Sequence, residues 1–126
     1  MPSVSKLNPI TNPSLPGVRI FPMSGAPKKG VAQSVLVEVE PRGSVPLHSH
    51  TVDAEMIIVA GNGWVCSTDA TNGRHVSPGY RVFYEKDKPH GFRAGDAGLS
   101  FISINGGIVD ENGHWDLEMA GLAGAG

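Results

Sequence analysis

A single cysteine, Cys66, stands in the whole chain, so no internal disulfide can form and no cysteine-based zinc site is available. Charge is sparse too. Charged residues make up 17%, the formal net charge is -2, and neither sign forms a long run. That excludes the basic footprint expected of a nucleic-acid or anionic-membrane partner. Long apolar runs are missing. The longest, Met56 to Ala60, is far short of a spanning helix, and nothing resembles a signal peptide. The expected location is the cytoplasm. Helical periodicity is missing as well: from Val31 onward no window of a dozen residues repeats apolar positions at helical spacing.

What remains is the texture of a β protein. The 126 residues are 40% hydrophobic, enough for one globular domain with a real core. Residues 1–30 carry Pro9, Pro13, Pro16, Pro22 and Pro27, which read as an N-terminal arm holding at most the short strand "GVRIFPM". From 31 to 104 the segments "VAQSVLVEVE", "EMIIVAG", "WVCST", "RHVSP", "YRVFYE", "HGFRA" and "LSFISI" follow one another, separated by Gly, Pro, Asn or Asp. Seven or eight short strands at this spacing predict an all-β sandwich or barrel. Gly61 and Gly63 read as a hairpin turn between two of them. Residues 105–126 read as a C-terminal tail in which "WDLEMAGLA" makes a helical turn and "AGLAGAG" is too rich in glycine to order unaided.

The chemistry-bearing feature is "PLHSH". His48 and His50 are two apart, so in an extended strand both rings lie on one face. Alone, such a pair suits a solvated surface as well as a metal. His90, at the start of another predicted strand in "EKDKPHGF", offers a third imidazole. His75 and His114 sit in turn-like contexts and read as surface residues. Met56, Ile58 and Ala60, Phe92, and Phe101 with Ser103 have the parity of barrel-lining positions. Tyr84 is a candidate proton donor, and Arg81 a candidate partner for a carboxylate. Cys66 has no activating neighbour, and no Ser-His-Asp arrangement is present.

Together these motifs resemble the two signature motifs of the cupins, small jelly-roll barrels. The first family motif runs Gly, five residues, His-x-His, three or four residues, Glu, six residues, Gly. Here Gly43 is followed by four residues and His48, then His50, Glu55 four residues on, and Gly61 five residues on. In the second motif Gly79 and His90 stand at the family spacing. Its Pro and Gly positions hold Glu85 and Asp87, and its Asn position holds Ala94. The likeness spans residues 31–104.

The resemblance implies a double-stranded β-helix, or jelly-roll barrel, and a homodimer. It also implies one divalent transition metal per chain (Fe, Mn, Zn or Ni) held by His48, His50, His90 and Glu55. Strand parity leaves the fourth ligand open. Positions 48, 50, 52 and 54 share a face, which aims Ala54 at the metal; Glu55 reaches it only through a bulge between Thr51 and Asp53. The implied function is a metal-dependent enzyme acting on a small, anionic or enolisable organic substrate, with an Fe(II) dioxygenase leading. A non-oxidative isomerase or lyase on a sugar acid or keto acid, and a non-catalytic binding or sensory cupin, are the alternatives. Glu55 and Tyr84 are the candidates for proton transfer.

Overall fold

The computed structural model describes residues 2–23, 33–67, 73–104, 109, 112 and 114–119. Eight strands form one antiparallel sheet that curls into an all-β jelly roll: β1 (Val18–Pro22), β2 (Ser34–Val39), β3 (Ser44–Ser49), β4 (Ala54–Ser67), β5 (Arg74–Val76), β6 (Arg81–Tyr84), β7 (His90–Ile104) and β8 (Glu118–Met119). Among the described residues there is no helix, and hence none long and apolar enough to cross a membrane.

The period-two pattern does what it predicts. In β2, "SVLVEV" buries Val35, Val37 and Val39 and turns the residues between them outward. Each buried valine contributes about 1.5–3 kcal/mol over an exposed one. The arm's one strand, β1, pairs with β2 from Val18↔Val39 to Pro22↔Val35, and it buries Val18 and Ile20 in the same core. Met56, Ile58 and Leu99 are the largest fully buried side chains.

β7 is the spine of the barrel. Its second half pairs with β2 on one side and with β4 on the other; its first half pairs with β3 and again with β4. Here the structure corrects the expected strand list. "EMIIVAG" and "WVCS" are one strand, β4, and "HGFRA" and "LSFISI" are one strand, β7. Gly61 and Gly63 make no hairpin. They lie where β4 and β7 kink together, with register shifts at Ile58/Ala60 and Gly61/Gly63. The close approach explains the glycines: a Cβ on Gly61 would sit 2.1 Å from the Gly98 carbonyl oxygen, and one on Gly63 2.2 Å from that of Arg93. The kink also turns Ala60, expected to line the barrel, out to solvent.

The C-terminal stretch differs too. Residues 118–119 are strand, not helical turn, and pair with β3 as His48↔Met119 and Ser49↔Glu118. "AGLAGAG" lies outside the described residues.

Candidate metal centre

His48 owes its inward aim to a bulge. Val45 faces Phe92 across the β3–β7 ladder, and His48 faces His90, so three steps on β3 match two on β7. The extra residue exchanges faces. Val45 and His48, of opposite parity, are therefore both buried. Gly91 sits opposite the bulge, where a Cβ would come within 2.6 Å of the Val45 carbonyl oxygen. His50 follows one residue beyond β3 on the same face as His48, and His90 opens β7.

The three rings meet. Their centroids are 5.0 Å apart for His48 and His50, 4.4 Å for His48 and His90, and 5.2 Å for His50 and His90. One nitrogen from each can be chosen so that all lie within 4.8 Å of one another. Three imidazole donors gathered this closely from two chain segments could share one ion. All three side chains are buried, at 4%, 7% and 4% exposure.

Backbone carbonyls decide which nitrogen points inward. Nδ1–H of His48 donates to Pro46 O at 2.8 Å, Nδ1–H of His90 donates to Lys88 O at 3.1 Å, and Nδ1–H of His50 donates to Asp116 O. A donating Nδ1 leaves Nε2 with a free lone pair, the form in which imidazole binds a metal. Nε2 of His90 is buried with no hydrogen-bond partner. A buried orphan acceptor is costly, and a cation in the cluster relieves it. Burial, helped by the neighbouring rings, lowers His48 to about 4 and His90 to about 3 against the donated hydrogen bonds. Both are neutral at physiological pH and ready to ligate. The donor set therefore fits a transition metal of the kind that takes imidazole: Zn, Cu, Fe or Ni.

Glu55 is not part of this group. His48 and His50 are buried at the end of β3, and across the bend at Thr51 and Val52 the even-numbered positions Ala54, Met56 and Ile58 of β4 are buried too. Glu55 lies on the outer face of β4, where Arg81 on β6 pairs with its carboxylate. The expected fourth ligand is thus corrected: Ala54 occupies the inward position, and the same outward aim removes Glu55 as a catalytic candidate. The bulge that would have rescued it exists upstream of the histidines, where it turns His48 inward instead.

No family model matches the chain, and no curated protein matches its sequence. Solved structures do match. The polyketide cyclase RemF from Streptomyces resistomycificus superposes with a TM-score of 0.66 at 22% identity, covering 82% of this chain and 77% of that one. A cupin-2 domain from Rhodospirillum rubrum gives a TM-score of 0.63 at 24% identity, over 79% of this chain and 68% of its own. KdgF from Halomonas sp. gives 0.58 at 20% identity, over 71% and 77%. This chain has the cupin fold.

Within this cupin barrel, Tyr84 joins the site. Its ring stacks on His90 at 3.9 Å between centroids with a 29° interplanar angle. Burial pushes its phenol up to about 12, and a hydrogen bond donated by Ser103 pulls the other way. The proton therefore stays on Tyr84 at neutral pH. A cavity of about 40 Å³ adjoins the cluster, lined by His48, His50, Tyr84 and Ser103 among apolar walls that include Phe92 and Phe101. Phe101 and Ser103 stand where their parity placed them; His75 and His114 are exposed and are not among the three converging histidines.

The sequence reading missed the C-terminal contribution. Trp115 and Leu117 line the same cavity, and the Asp116 carbonyl holds His50. The signal was present. Trp115, Leu117 and Met119 alternate with Asp116 and Glu118, the period of a half-buried strand, and the three apolar residues pack against the core.

Proposed function

We propose that the chain is a metalloenzyme that binds a small, largely apolar organic molecule through an enolisable carbonyl or phenolic oxygen and catalyses a non-oxidative reaction beside it. The observation that carries this reading is the convergence of three buried imidazoles, joined by no carboxylate among the described residues, next to a tyrosine that keeps its proton. The three ligands would be His48, His50 and His90. A divalent ion held there supplies Lewis-acid polarisation of a substrate oxygen. With no ligand charge to offset it, the site favours an anionic or enolate-like oxygen over a neutral one.

Tyr84 is placed to hold or deliver a proton at its Oη, and Ser103 orients that hydroxyl. The apolar walls exclude water and suit a ring or alkyl body better than a sugar acid, whose many hydroxyls would find few partners. The resemblance to a structure described as a polyketide cyclase supports this class of chemistry.

The test is metal analysis by mass spectrometry on protein purified without a His-tag, followed by anaerobic assays on enolisable and phenolic compounds. One transition metal per chain is expected, lost in His50→Ala, with turnover independent of oxygen. Tyr84→Phe is expected to keep the metal while the rate drops by about 10²–10⁴. Stoichiometric oxygen consumption with bound iron overturns the non-oxidative reading in favour of an oxygenase. Equal affinity for neutral and anionic analogues removes the charge preference.

A further inference from the structure

We propose that Asp116 is a positioning residue for the metal ligand His50, and that its side chain sets that ligand by clamping the C-terminal segment onto the loop after β3. The inference rests on the three-histidine reading and goes beyond it, because Asp116 touches neither the cavity's reacting space nor a metal. The geometry has two halves. The Asp116 main-chain oxygen accepts the His50 Nδ1–H. Its carboxylate accepts three hydrogen bonds from Thr51, the next residue in the chain: Thr51 N–H to Oδ1 at 3.0 Å, Thr51 N–H to Oδ2 at 3.2 Å, and Thr51 Oγ1–H to Oδ2 at 3.0 Å.

One residue thus grips two consecutive positions, one by its backbone and the other by its side chain. The backbone bond selects the His50 tautomer whose Nε2 lone pair faces His48 and His90. The side-chain bonds keep that carbonyl where the bond needs it. Among the described residues the segment also has the two-residue strand β8, an isolated bridge between Val109 and Trp115, and the packing of Trp115, Leu117 and Met119 against the core. Such short pairings are weak by themselves. Without the clamp the carbonyl is free to drift and the imidazole free to change tautomer or flip. His48 and His90 take their carbonyl partners from Pro46 and Lys88, each two residues earlier in the chain and outside the C-terminal segment.

The test compares wild type with Asp116→Ala, Asp116→Asn, Thr51→Val and Glu118→Ala in the full chain. Co(II) and Zn(II) dissociation constants come from chelator competition. The His50 tautomer comes from long-range ¹H–¹⁵N spectra of the metal-free protein. Asp116→Ala, which keeps the main-chain carbonyl, is expected to weaken metal about 10–100-fold at unchanged stoichiometry, the range found when an outer-shell partner is lost. It is also expected to lose the single Nδ1–H form of His50 while His48 keeps its own. Asp116→Asn, which retains one acceptor oxygen, recovers most of the affinity. Thr51→Val, which loses only the hydroxyl bond, falls in between, and Glu118→Ala is silent.

A folded Asp116→Ala protein with wild-type metal affinity and an unchanged His50 tautomer overturns the proposal. If Asp116→Ala does not fold, a Thr51→Val protein with unchanged affinity and tautomer does the same. A wild type that binds no metal overturns the three-histidine reading; the tautomer comparison then still decides the role of Asp116.

Discussion

Ala54 and Glu55 are chain neighbours whose side chains point to opposite faces of β4, and that single step decides the charge of the site. Glu55 spends its carboxylate on Arg81, an outer-face pair whose side chains remain 28% and 59% exposed. Surface pairs of this kind are worth about 0–1 kcal/mol. Glu55→Ala is therefore expected to keep the full metal content and to shift the urea midpoint only slightly; loss of metal in that variant would place the carboxylate in the site after all. Asp87 carries a second residue-scale lesson. It stands where the cupin motif has glycine, and it adopts the left-handed conformation that a glycine would take, with φ of 62°. Aspartate tolerates that region better than most residues. Its N–H donates to the His50 carbonyl at 2.8 Å, so the substituted motif still closes on the histidine cluster.

At the scale of elements, the site is made by a bulge and a pair of kinked strands. His48 faces inward because β3 carries one residue more than β7 between matched pairs. Gly91 leaves room for that extra residue. Gly91→Ala would set a Cβ 2.6 Å from a backbone oxygen, which cannot swing away as a side chain would. The expected outcome is a loss of about 1–3 kcal/mol in urea unfolding, the usual cost of overpacking, together with weaker metal binding as His48 is displaced. Full stability and affinity would show that the bulge yields freely. The His-x-His pair was legible in the chain because period two is local. The bulge was not, since a register shift exists only between two strands, and neither strand's own residues declare it. The same holds for Gly61 and Gly63, which read locally as a turn and are required instead by the nearness of β7.

At the scale of the whole molecule, burying the imidazoles of His48 and His90 links folding to pH. In the unfolded chain they titrate near 6.5. In the folded, metal-free protein His48 resists protonation down to about 4 and His90 to about 3, chiefly because burial disfavours the charged ring. The unfolded state therefore binds more protons below 6.5, and stability must fall with pH there. The contribution is fully present above 6.5, declines as pH drops from 6.5 towards 3, and flattens below. The metal-free protein is expected to show a urea midpoint that holds steady from pH 8 to 7 and then declines, by an amount on the order of a few kcal/mol at pH 4. A midpoint unchanged down to pH 4 would mean that the rings are solvated in solution. Zinc at 100 times its dissociation constant is expected to add about 2.7 kcal/mol at neutral pH, because it binds the folded state alone.

The chain by itself determined an all-β barrel, the placement of His48 and His50 on one strand face, and the candidacy of His90 and Tyr84. Each of these follows from alternation and local spacing, which act within a few residues. Tertiary structure alone decided that Glu55 turns away, that two long kinked strands replace four short ones, and that Asp116, 66 residues beyond His50, holds it in place. Those outcomes depend on which strand lies beside which, and the energy that selects a neighbour comes from burial and pairing across the whole barrel.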